Sequence, residues 1–282
     1  MAVPGGGAPM YVPPAQIRFD VIGEAFSMLQ RQIGNWVLAS LISVFCIGAV
    51  SAVLIALQTA VIVAVSVAGD ATGSGMVQNF TVRLVSTLFG LVFGILIGTM
   101  AIFFLGGMYR MAVKQIRNEP FSAGDLFSVM DVAVPLLTVG VIISAIASIP
   151  NLLGILPIPS LLTTFPLLVF TWIVYGMTMF AAPLVAERRM QGMEAIKLSV
   201  ETLKGQAVMA ILFYVVASII GGLGIIACCI GVLFTYPVFV LSIALTYRDF
   251  FMGGQASNMP PPGAYPPPGS YPPPGSPPPP SV

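Results

Sequence analysis

The chain has 282 residues, of which 57% are hydrophobic and only 7% charged, with a formal net charge of +1. A soluble domain carries about 25% charged residues, so this composition, with a mean hydropathy of +0.98, excludes a water-exposed globule and requires lipid. The even charge balance offers nothing to nucleic acid, and the absence of histidine excludes His-based metal sites, His general bases and Cys–His pairs.

Residues 1–16 are rich in Gly, Pro and Ala and are predicted to be disordered. They have no basic n-region and no apolar h-region, so no cleavable signal peptide is expected. From Phe19 to about Asn35 the pattern is amphipathic. Ile22, Phe26, Leu29 and Ile33 share one face, and Asp20, Glu24 and Arg31 share another. Trp36 stands where an interfacial aromatic belongs. Trp36 to Ala68 carries no charge, which predicts one long, tilted helix that extends beyond the bilayer. A Gly-rich turn over Gly69–Gly75 leads to a second run, about Phe80 to Val113, in which Gly90, Gly94 and Gly98 form a small-residue stripe. Such a stripe allows close approach of a helix of this chain or of another copy.

Arg110, Lys114 and Arg117 mark the return to a charged surface. Ser122 then reads as a helix cap, with Asp125 at the third position and Phe121 placed to staple onto Leu126. Two further spans are predicted, about 132–149 and 161–186. An uncharged connection broken by Pro150, Pro157 and Pro159 separates them, and Pro166 and Pro183 predict a kink.

Glu187 to Gly205 holds more charge than any other stretch of comparable length. Glu194, Lys197, Glu201 and Lys204 are spaced by three, four and three residues on one helical stripe, which lets each charge find a partner one turn away. Met193, Ile196, Val200 and Leu203 form an adjacent apolar stripe, so the segment reads as an amphipathic helix at the membrane surface. A last hairpin follows over about Ala207–Tyr247, with its turn near Gly221–Gly224, a bend at Pro237 and a close at Tyr247-Arg248-Asp249. Cys228 and Cys229 can form a vicinal disulfide or a thiol ligand pair, or pack as two small apolar residues.

The expected fold is therefore all-α. It is a polytopic membrane protein with six transmembrane helices in three hairpins, each preceded by an amphipathic surface helix, and with disordered Pro-rich termini. The membrane domain covers 17–252, with spans at about 36–68, 80–113, 132–149, 161–186, 207–222 and 225–247. Glu24-Ala25-Phe26 and Glu194-Ala195-Ile196 align, Asp125-Leu126-Phe127 fits the same place, and Arg110, Arg188 and Arg248 close the three copies. Only Arg83 of the 11 Lys and Arg residues lies away from the surface helices, a bias that predicts cytoplasmic termini.

The stretch Ala182-Pro183-Leu184-Val185-Ala186-Glu187-Arg188-Arg189-Met190, with Glu194, Ala195 and Ser199, and the close Tyr236-Pro237-Val238-Phe239 through Tyr247-Arg248-Asp249, resemble bacterial six-span membrane proteins of unknown function. These are similar to the glycerophosphoryl diester phosphodiesterase membrane domain and the YciC-like family. The resemblance covers about residues 18–250 and implies a fold and a bacterial inner-membrane location, with no catalytic motif.

Three functions fit these features. In the first, the spans anchor a non-enzymatic organiser or recruiter. Its tail over 253–282 is cytoplasmic, disordered and extended, and carries a repeated unit in which Tyr265, Pro266, Pro267, Pro268, Tyr271, Pro272, Pro273 and Pro274 can bind a protein groove. The tail also reads as a plain solubilising extension. In the second, the chain moves a small apolar or lipid-like solute, although the spans hold almost no ionisable residue and Gln58 is their most polar mid-span side chain. The third is an enzyme built on the surface carboxylates, whose Lys and Arg neighbours favour plain ion pairs instead. The expectation is no catalysis, cofactor or metal. Arg188, Arg189, Lys197 and Lys204 are the candidate contacts to membrane lipids.

Overall fold

A computed structural model describes residues 16–70, 75–156, 160–226 and 230–252, and every regular element among them is helical. Five stretches are long and apolar enough to cross a membrane: Ile33–Ala68, Asn79–Ile116, Ala123–Ile155, Thr164–Arg188 and Gly192–Leu223. The elements are α1 (Val21–Arg31), α2 (Ile33–Asp70), α3 (Gly75–Ile116), a 3-10 helix (Ala123–Val132), α4 (Ala133–Ser148), a second 3-10 helix (Ile149–Ile155), α5 (Ser160–Met177), α6 (Ala181–Arg188), α7 (Gly192–Leu203), a 3-10 turn (Lys204–Gln206), α8 (Ala207–Leu223) and α9 (Val232–Phe251).

The long helices close into a ring. α2 packs on α3, α3 on α4, α4 on α5, α5 on α8, α8 on α9, and α9 back on α2. At one end α9 also crosses to α3, and every residue from Pro237 to Tyr247 is buried there. The outer elements follow the same cyclic order. α1 lies on α9, the first 3-10 helix on α3, and α7 on α6.

Close approach is set by small residues. A Cβ at Gly107 would stand 2.0 Å from the Leu126 carbonyl oxygen, and one at Gly140 would stand 2.8 Å from Thr99 Cα. Two of the three stripe glycines of α3 face α4, Gly94 against Ser148 and Gly98 against Ser144, while Gly90 meets open space. That stripe therefore serves packing within the chain. The chain breaks at 178–180 between α5 and α6, three residues before Pro183, which has no N–H for the helix ladder. Pro166 and Pro237 both lie inside continuous helices.

Several expectations are corrected. Trp36 is 0% exposed and donates its indole N–H to Gln115 Oε1 at 2.8 Å, so it is a core residue and not an interfacial anchor. The buried face of α1 is Val21, Ala25, Met28 and Leu29, while Phe26 and Ile33 are exposed; the helix is turned toward α9 from the face expected. The charged stretch is not one helix, because Arg189 takes a left-handed conformation (φ 56°) that ends α6 before α7 begins. In α7, Gly192, Ala195, Ser199 and Leu203 are buried and Met193 is exposed. α9 starts at Val232, not near 225, and is not among the five apolar stretches; Thr235, Tyr236, Thr246, Tyr247, Arg248 and Asp249 dilute it. Phe121 stacks edge-on against Trp36 at 6.0 Å.

Candidate functional site

The polar chemistry of the described chain gathers at the end of the ring where α3, α6 and α9 finish. Arg83 lies far from it, about 40 Å along α3 from Arg110 at 1.5 Å per residue, and donates to the Leu156 carbonyl at 3.0 Å. Everything at the charged end follows from helix termini. Each helix that finishes there ends in basic residues, and a neighbouring segment supplies the carboxylate, the arrangement that helix C-terminal dipoles favour.

Three junctions result. At the first, Arg248 of α9 reaches Glu24 of α1 with both terminal nitrogens, Nη1 to Oε1 and Nη2 to Oε2 at 3.2 Å. Asp249 joins Arg248 at 2.9 Å and Arg18 at 2.7 Å. The hydrogen bonds that Arg18 donates to the Asp249 carboxylate hold its guanidinium above its ordinary pKa. The second junction lies between α3 and the 3-10 helix Ala123–Val132. Lys114 Nζ meets Asp125 at 2.8 Å, and Asp125 also accepts the Ser122 N–H at 2.8 Å, as the cap pattern predicts. Arg110 meets Asp131 at 2.7 Å and donates to the carbonyls of Ala186, at 2.6 Å, and Ser128. At the third, the Glu187 side chain is 16% exposed; it takes Arg117 on one oxygen and the Tyr247 hydroxyl on the other.

The arrangement satisfies its own charges. Glu187 sits between a cation and a phenol, and Asp131 between Arg110 and Arg189. These are fixed pairs with their geometry already spent on one another. Two uncharged links reinforce them. Gln115 accepts from Trp36 and donates to the Met28 carbonyl at 2.7 Å, tying α1, α2 and α3 together. Ser199 of α7 donates to the Met177 carbonyl at 3.0 Å and accepts the Phe180 N–H at 3.2 Å. One hydroxyl thus serves two of the backbone groups freed by the α5–α6 break.

The four cations expected to touch lipid are separated by the structure. Arg188 donates to the Phe251 carbonyl at 2.9 Å and lies 5.0 Å over the Phe251 ring. Arg189 pairs with Asp131 at 2.7 Å. Lys197 on α7 and Lys204, which caps it at the start of the 3-10 turn, are exposed with Glu194 and Glu201. None of those four takes part in an ion pair among the described residues, so the expected pairing along the α7 stripe does not form. Tyr265, Pro266, Pro267, Pro268, Tyr271, Pro272, Pro273 and Pro274 lie outside the described residues, as do Cys228 and Cys229.

Sequence reading missed Asp131, Gln115 and Ser199 as structural partners. Asp131 and Ser199 are polar residues between apolar neighbours, which was the available signal, whereas Gln115 sits among Lys114 and Arg117 and gives none. Two shallow, open, mostly apolar grooves lie along Ala49, Val50, Val53 and Leu54 and along Val134, Leu137, Thr138, Val141 and Ile142. No family model, curated protein or solved structure matches the chain.

Proposed function

We propose that this is a non-enzymatic, six-span protein of a bacterial inner membrane whose role is structural: it organises or recruits partners at the cytoplasmic surface. α9 is the sixth span, since 20 residues make a helix about 30 Å long, the thickness of the hydrocarbon core. The charged end faces the cytoplasm by the positive-inside rule. α1, the first 3-10 helix and α7 are then the surface helices of three related hairpins, in keeping with the cyclic packing order and with the resemblance to the glycerophosphoryl diester phosphodiesterase membrane domain and the YciC-like family. Lys197 and Lys204 stay exposed on that surface.

One observation carries this reading: the carboxylates of the three junctions are occupied by Arg, Lys or Tyr partners. A general acid or base must be open to substrate, whereas a rigid anchor needs closed pairs. The Tyr–Pro tail is the recruiting element. The test is a pair of pull-downs from native membranes, one with the full chain and one with a chain ending at Met252. Partners that vanish with the tail support recruitment. The same set from both baits, or none, overturns it and makes movement of a small apolar or lipid-like solute the leading reading.

A further inference from the structure

The surface helices are not treated alike. Glu24 of α1 and Asp125 of the first 3-10 helix occupy aligned positions, and each is held by a base at the end of the long helix it packs on, Arg248 of α9 or Lys114 of α3. Glu194 occupies the same position in α7 and is exposed without an ion-pair partner. Arg188, placed to hold it, instead turns its guanidinium to the Phe251 carbonyl and ring and to the neighbouring Glu187 carboxylate. α7 is fixed by its other face. A Cβ at Gly192 would stand 2.6 Å from the Pro135 carbonyl oxygen, and Ser199 bonds into the α5–α6 break. With Gly192, Ala195, Ser199 and Leu203 against the flank of the ring, the face bearing Glu194, Lys197, Glu201 and Lys204 looks outward.

The order of charge on that face has a property that a merely solvated face does not need. Reversing the helix direction exchanges position 194 with 204 and 197 with 201, and each exchange swaps an acid for a base. Two α7 helices laid antiparallel therefore match at all four positions: Glu194 meets Lys204 of the second copy, Lys197 meets its Glu201, and the reciprocal pairs follow over about 15 Å of helix. A two-fold axis along the membrane normal brings two in-plane helices together in that antiparallel sense.

We infer that α7 is the interface of a homodimer, in which a second copy supplies the partners for Glu194, Lys197, Glu201 and Lys204 that the chain itself does not. The inference rests on reading α7 as a surface helix, and it is independent of the tail.

The test uses the full chain in liposomes, with self-association read by fluorescence energy transfer between labelled copies. The wild type associates, and raising the salt from about 0.1 M to 1 M, which shortens the screening length from about 10 Å to 3 Å, weakens association. The E194K/E201K variant carries four like charges on the stripe, and its association falls roughly tenfold or more, the equivalent of several exposed pairs lost. The fully reversed variant, E194K/K197E/E201K/K204E, is again self-complementary, so it associates with itself as the wild type does but not with the wild type. This recovery separates a lost interface from a lost fold. A monomeric wild type, an E194K/E201K variant that associates as well as the wild type, or a reversed variant that pairs freely with the wild type overturns the inference. Labelling of Lys197 and Lys204 by a membrane-impermeant amine reagent reports separately whether α7 lies at the surface. A chain with reactive lysines and no association thus defeats the dimer alone.

Discussion

The two ends of the ring are built by different physics. At the charged end, α9 is buried from Pro237 to Tyr247, α2 buries Trp36, Ala39, Ser40 and Ser43, and ion pairs join α1, α3, α6 and α9. Toward the far end no described residue of α2 after Ser43 is buried, and Phe45, Val53, Ile55 and Val67 are all exposed. In water such a surface would be untenable. In lipid it costs nothing, because acyl chains are as apolar as Leu and supply no drive to bring helices together. The comparison teaches that the helices are held most firmly at the charged end, while beyond Ser43 α2 presents apolar surface that a membrane environment would accept.

Deleting large side chains at either end gives the widest contrast. Trp36 is 0% exposed and Phe45 is 73% exposed, nine residues apart on one helix. Trp36→Ala removes a core ring and leaves Gln115 without its donor, at a cost of about 3–5 kcal/mol. Phe45→Ala falls within about 0.5 kcal/mol of the wild type. Thermal unfolding of the detergent-solubilised variants checks both, and equal losses would mean that the surface of α2 just beyond Ser43 is packed after all.

Glycines on α3 sharpen the same contrast. Gly107→Ala drives a methyl into the Leu126 backbone, which cannot yield without moving the whole 3-10 helix, and costs about 1–3 kcal/mol or more. Gly90→Ala meets nothing within 4 Å and is neutral or gains up to about 1 kcal/mol of helix propensity. The same unfolding assay ranks the two, and a loss at Gly90 would point to a partner against that face.

How much of this was legible in the sequence depended on the end. Apolar runs without charge place the long helices apart from the start of α9, the kink expected from Pro183 becomes a break at 178–180 while Pro166 stays inside α5, and the basic residues pick out the end where they gather. The faces of the short helices were not legible. Periodicity in α1 selects the most apolar side chains, Phe26 and Ile33, but with lipid beside the protein those can point outward while Ala25 and Met28 pack. In α7 likewise, small Gly192, Ala195 and Ser199 win the buried face over Met193 because backbones must approach closely there. The junctions were hidden for another reason. Arg248 and Glu24 stand 224 residues apart and Arg117 and Glu187 stand 70 apart, and a helical stripe shows only neighbours one turn away, so the pairs that join different elements do not show in it.

Ser199 tests whether the α5–α6 break depends on α7. Ser199→Ala leaves the Met177 carbonyl and the Phe180 N–H unmet in a buried place, a cost of about 1–3 kcal/mol. Amide hydrogen exchange at Phe180 speeds up while exchange in α2 is unchanged. Protection at Phe180 equal to the wild type would show that water or a shifted backbone serves the break instead.

The smallest effect expected is at the Glu24–Arg248 junction, and it decides how much the charged end owes to its ion pairs. The Glu24 side chain is 41% exposed and Arg248 is 14% exposed, so solvent screens one side of the pair. A double-mutant cycle with Glu24→Gln and Arg248→Gln should return a coupling of about 0.2–1 kcal/mol, the range for partly exposed pairs. Arg248→Gln alone costs more than Glu24→Gln, because Arg248 also holds Asp249, and removing it leaves that carboxylate with Arg18 alone. A coupling near zero would mean that Val21, Ala25, Met28 and Leu29 hold α1 on α9 unaided, leaving the ion pair to set only which way α1 faces.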